Sequence, residues 1–146
     1  MDEKDERIIE ILKENSKLST QQISKKTSIP ITTVHHRIKK LNDEGIIKKY
    51  TIILDDKKIG KSISAFVLIT VDYKLLKQMK KSQQDLARKM KLHPSIDEST
   101  TVTGATDIIA KVKVKNMDEL NHLIENYIRN LDGVEKTQTL VILSEA

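Results

Sequence analysis

Residues 31 to 44 read ITTVHHRIKKLNDE, and their order separates hydroxyl, imidazole and cationic groups from apolar ones. On a helix, successive side chains are rotated by about 100°. Val34, Ile38 and Leu41 then share one face and must pack inward. The opposite face carries Thr32, Thr33, His36, Lys39 and Lys40, with His35 and Arg37 on its flanks. Threonine offers a hydroxyl and a methyl to base edges, Arg and Lys reach guanine edges or phosphates, and imidazole donates or accepts. Lys25 and Lys26, just upstream, and Lys48 and Lys49, just downstream, add cations suited to a phosphate backbone. The plainer alternative is a solvated basic helix.

Other chemistries find less support. His35 and His36 are adjacent, so they diverge on a helix and cannot share a metal ion, and no further ligand is spaced to help. There is no cysteine, hence no disulfide or thiolate site. The segment IGKS at 59–62 imitates the end of a phosphate-binding loop. That loop also needs a glycine at position 55, where Asp55 stands. His93 has no companion carboxylates or histidines. No catalytic residue, metal or cofactor is expected, and the chain is not read as an enzyme.

Charge distribution sharpens the first reading. Residues 1–16 carry three basic and six acidic side chains, and residues 17–49 carry eight basic and two acidic, a local net of +6. The whole chain of 146 residues is only +5, so its positive potential is concentrated around the helix described above. Such a patch favours a polyanion. The acidic start MDEKDER resembles no targeting peptide, and the apolar run AFVLI at 65–69 is too short to span a bilayer. A cytoplasmic protein with no membrane partner is expected.

Two helices before it must position that helix. Ile8, Ile11 and Leu12 mark a first helix over about residues 3–15, acidic in its first turn. Ser19 and Gln22 form a capping-box pattern, with Leu18 and Ile23 at the staple positions, so a second helix begins there and ends near Thr27 and Ser28. After TSIP comes the third helix, closed by Gly45. This is a helix-turn-helix arrangement over residues 1–47. Residues 48–61 alternate through Tyr50, Ile52 and Leu54 and are expected to form a hinge strand.

Residues 62–146 read as strand, helix, strand, strand, helix, strand. SISAFVLITVDY is the first strand. Leu76, Met79, Leu86 and Met90 mark one helix that stops at His93 and Pro94. IDESTTVTG and DIIAKVKVKN meet at the corner GATD, Met117 to Leu131 forms a second apolar helical stripe ending at Gly133, and VEKTQTLVIL is the last strand. The fold class is therefore α+β: a three-helix helix-turn-helix domain followed by a ferredoxin-like βαββαβ domain. Phe66, Leu68, Leu140 and Ile142 make the open face of its sheet apolar, which favours a homodimer.

The stretch from DERIIEIL to GIIKKYTII resembles the DNA-binding half of the Lrp/AsnC, or feast/famine, transcriptional regulators, and the strand order after it resembles their ligand-sensing half. Pro30 stands where that family often has a Ser or Thr cap. The family marker Gly-x-x-Asp is present as Gly104, Ala105, Thr106 and Asp107, and Thr106 occupies a position where an aromatic residue is common. The resemblance implies a double-stranded DNA partner, contact with the transcription machinery, and a homodimer that builds into a tetramer or octamer. It also implies a hinge strand that pairs with its mate in the dimer. It implies regulation by an amino acid or related small molecule held at Gly104, Ala105, Thr106 and Asp107, near Met117, Val141 and Ile142. Two alternatives share the architecture. One is an effector-free architectural DNA-binding protein. The other is a siroheme-decarboxylase-like enzyme, against which the sequence IDESTTVTG stands where those enzymes carry a histidine motif.

Overall fold

The computed structural model describes all residues, 1–146, and they divide into two compact units, Met1–Ile53 and Leu54–Ala146. The first unit is helical: α1 Glu3–Glu14, α2 Thr20–Thr27 and α3 Ile31–Asp43. Its core is Ile8, Ile23, Ile29, Val34 and Leu41, with Ile11, Leu12, Leu18 and Ile38 packed against it. These are the apolar stripes expected of the three helices. Both the capping box and the staple of α2 form, since Ser19 Oγ accepts from Gln22 N, Gln22 Oε1 accepts from Ser19 N, and Leu18 and Ile23 join one cluster. Helix α2 ends at Ser28 in the left-handed conformation (φ 59°). Pro30 is the N-cap of α3 without a side-chain acceptor, and its carbonyl accepts from Val34 N at 3.0 Å. Helix α3 therefore begins at Ile31.

Within one chain the expected hinge strand does not form. Residues 48–62 contain turns and no strand, and Ile53 is 99% exposed. Alternation gives a strand an apolar side, but the ladder needs a second backbone, and none in the chain pairs with it.

The second unit is a four-stranded antiparallel sheet in the order β2-β3-β1-β4, from β1 Ile63–Val71, β2 Ile96–Thr101, β3 Ile108–Val114 and β4 Val134–Val141. Ala65, Val67, Ile69 and Val71 of β1 and Ile108, Ala110, Val112 and Val114 of β3 point into a core closed by helices. The first helical segment is two helices rather than one, α4 Tyr73–Gln78 and α5 Gln83–Met90. Lys80 adopts a left-handed conformation between them, and Ser82 and Asp85 build a new capping box that restarts the helix. After α6 (Met117–Leu123) the apolar stripe continues through a π-helical turn at Ile124–Ile128. The opposite face of the sheet carries Phe66 and Leu68 half-buried and Leu140 exposed, with the Lys111 ammonium 5.7 Å from the Phe66 ring centroid.

Candidate nucleic-acid interface and sensing corner

Helix α3 presents a defined outer face because its inner one is fully committed. Val34 and Leu41 are buried and Ile38 is half-buried against the same core, which leaves Thr32, His35, His36, Lys39 and Lys40 exposed and Thr33 partly so. The rings of His35 and His36 meet edge to face, 5.8 Å apart. Lys25 and Lys26 sit exposed in the last turn of α2. Lys39 pairs with Asp43 at 2.8 Å, which raises its pKa, and Lys40 lies 3.9 Å from Glu44. Both are exposed pairs one helical turn apart, weak enough in water for a phosphate to displace the carboxylate.

Arg37 departs from the expectation that it reaches outward as a free cation. Its Nη1 donates to Asp2 at 2.6 Å and to Asp5 at 3.1 Å. Asp5 is 6% exposed, and Asp2 and Asp5 also cap α1 through reciprocal backbone bonds. The hydrogen bond from Arg37 is the main reason the Asp2 carboxyl is lowered to about 2, and the same carboxylates raise Arg37. Arg37 thus ties α3 to the start of α1. On the far side, Arg7 Nη2 donates to the Thr27 carbonyl at 3.0 Å, fastening α1 to the end of α2. Sequence reading missed the partners of Arg37. Their only trace was an Asp at the N-cap and another three residues later, a pattern explained by capping alone.

In the second unit the Gly104 to Asp107 corner closes the β2–β3 connection, with Gly104 at φ 108° and Val102 N donating to the Asp107 carbonyl at 2.9 Å. The Asp107 side chain faces inward. One carboxylate oxygen accepts from Val71 N and the other from the Tyr73 hydroxyl, each at 2.9 Å, and the latter bond raises the Tyr73 pKa. Gln83 bridges the Tyr73 hydroxyl and the Asp107 carbonyl. Tyr73 and Gln83, neither anticipated from sequence, thereby lock the corner onto α4 and α5. The backbone of Gly104 and Ala105 remains exposed, and Thr106 is half-buried.

Register separates the other expected effector residues from this corner. Ile108 pairs with Ile69 near the carboxyl end of β1, whereas Val141 pairs with Ala65 and Val114 with Ile63 near its amino end. Ile142 N donates to Ser64 O, and Met117 follows β3 at that same end. Ile69 and Ala65 are four steps apart along the strand, about 13 Å at about 3.3 Å per residue. The seven residues named for the effector do not form one pocket within a single chain.

An exposed cationic helix held by a three-helix core, with a ferredoxin-like unit after it, defines a helix-turn-helix DNA-binding regulator. The comparisons agree. A family model described as "Winged helix-turn-helix DNA-binding" matches residues 1–48, and one described as "Lrp/AsnC ligand binding domain" matches residues 64–146. The HTH-type transcriptional regulator FL11 of Pyrococcus furiosus is 37% identical over 143 residues, covering 98% of this chain and 89% of the relative. Bacillus subtilis LrpC superposes with a TM-score of 0.84 at 28% identity, covering 100% of this chain and 96% of that one. A regulator from Neisseria meningitidis in complex with L-Met superposes at 0.88 with 22% identity, covering 99% and 91%, a likeness of fold. The chain belongs to the Lrp/AsnC family of transcriptional regulators.

Proposed function

We propose that this regulator recognises a specific duplex sequence through the outer face of α3 and adjusts that binding to an amino acid or related small molecule. The observation that carries the first part is the orientation of α3. Apolar anchors on one side and the Arg37 tie on its flank hold Thr32, Thr33, His35 and His36 toward solvent. These side chains supply base contacts, and Lys25, Lys26, Lys39 and Lys40 supply salt-dependent phosphate contacts. Arg37 acts by setting the angle of the helix. Footprinting of the region upstream of the chain's own gene tests this, together with affinities for matched and scrambled duplexes. His36→Ala should weaken specific binding by about 1–3 kcal/mol. Identical affinity for matched and scrambled duplexes would refute specific recognition.

Two copies, joined through the apolar open sheet face and residues 50–54, would present two α3 helices to a two-fold-related site. Higher assemblies would bring the Gly104 to Asp107 corner of one copy toward Met117, Val141 and Ile142 of another. The L-Met complex of the Neisseria relative supports an amino-acid ligand of this kind. Calorimetric titration with the twenty amino acids tests it; no heat with any of them would favour an effector-free architectural role.

A further inference from the structure

The first helical layer of the second unit carries a charge pattern that lies outside both the residues proposed for the effector and the open sheet face. Residues 73–93 contain seven basic side chains, Lys74, Lys77, Lys80, Lys81, Arg88, Lys89 and Lys91, against one acidic, Asp85. All seven are exposed. Their opposite side, Leu76, Leu86, Ala87 and Met90, is buried in the core. Arg88 pairs with Asp85 at 3.4 Å, while the six lysines have no ion-pair partner. On the sheet the cations are matched, Lys113 with Asp56 and Asp97 and Lys111 with Glu145, whereas Lys25 and Lys26 beside the recognition helix stand without an ion-pair partner as these six do. The local excess of +6 equals that of residues 17–49, so positive charge is concentrated in two segments and not around the recognition helix alone. The second was masked because residues 62–146 as a whole carry twelve basic and eleven acidic side chains.

We propose that the outer surface of α4 and α5 is a second, sequence-independent contact for the phosphate backbone of duplex DNA. Like charges left unmatched on one short surface repel one another, and a polyanion relieves that repulsion while releasing its own counterions. Lys74 and Lys77 lie one turn apart on α4, Lys80 and Lys81 fill the connection, and Lys89 and Lys91 stand at the end of α5, so the cations follow one another along a single short segment. A bilayer surface is the weaker match, because helices that lie on membranes keep an apolar face for the lipid. Here that face is spent on the core. Duplex DNA is the polyanion the family already handles.

The test is the Lys74→Gln/Lys77→Gln/Lys81→Gln variant of the full chain, with affinity measured over a series of salt concentrations on matched and scrambled duplexes. Each phosphate contact contributes about 0.9 to the slope of log K against log salt, so the slope should fall by about 2 to 3. Affinity should drop equally for both duplexes, leaving their ratio unchanged, whereas failure of α3 to read sequence would show in the ratio. Unchanged slopes would overturn the proposal. So would unchanged DNA binding with lost binding to phosphatidylserine vesicles, or a changed sedimentation mass with unchanged slope. If the triple variant melts early, Lys89→Gln/Lys91→Gln makes the same test from the other end of the segment.

Discussion

Asp107 offers a sharp test, because two substitutions that both remove its charge should behave differently. In Asp107→Ala the buried Val71 N–H loses its acceptor and the Tyr73 hydroxyl loses its anionic partner. An unsatisfied buried donor costs about 1–3 kcal/mol, and the exposed Tyr73 hydroxyl can turn to Gln83, so a loss of about 2–3 kcal/mol is expected. Asp107→Asn keeps a carbonyl oxygen for Val71 N–H. Its amide can donate to the Tyr73 oxygen, and the phenol proton can then turn to Gln83 Oε1, which already lies 2.9 Å away. The network survives with its polarity reversed, at a cost of about 1 kcal/mol. At about 4–8 °C per kcal/mol for a unit of this size, the alanine variant should lower the unfolding midpoint by about 10–20 °C and the asparagine variant by about 4–8 °C. Thermal melts followed by far-ultraviolet circular dichroism, with exchange of the Val71 amide by NMR, measure both. If asparagine destabilises as much as alanine, or alanine changes nothing, the inward role assigned to the carboxylate is wrong. If asparagine preserves stability yet abolishes an amino-acid response, the charge serves a ligand as well.

Further outcomes are expected elsewhere. A Cβ on Gly133 would meet Leu76 Cδ2 at 2.5 Å with φ at 100°, so Gly133→Ala should destabilise the second unit by about 2–5 kcal/mol, read by denaturant titration. The Asp2 carboxyl is lowered from 3.8 to about 2 by its bond to Arg37, so the stabilisation it provides is complete above pH 4 and is lost as the pH falls through 2. An NMR titration of that carboxyl checks this, and Arg37→Met should return it to the ordinary range. Ser82→Ala removes the acceptor that restarts the helix at α5 and should cost about 1 kcal/mol, measured by the same denaturant titration.

The elements that sequence revealed are those written in one short stretch of chain. The Val34, Ile38 and Leu41 stripe, the Ser19 to Gln22 box and the alternation of β1 all specify a face from local spacing, and each burial pattern follows it. The partners of Arg37 were hidden because they lie 32 and 35 residues away, and a helical projection gives an angle without saying what stands opposite. The break between α4 and α5 was hidden because Leu76, Leu86 and Met90 are buried in one core on both sides of it. The box at Ser82 and Asp85 was the readable sign of it. The corner residues were visible as a motif, but their separation from Val141 depends on strand register, which two distant strands fix together.

That register also orders events in time. Every core contact of the helical unit lies within the first 53 residues, so it can mature as soon as they leave the ribosome. The central strand cannot: Ala65 waits for Val112 on one side and for Val141 on the other. Long-range pairing of this kind is slow relative to local helix formation. During synthesis a finished reading head therefore precedes its sensor, and the half-built sheet exposes a sticky edge until the last strand arrives.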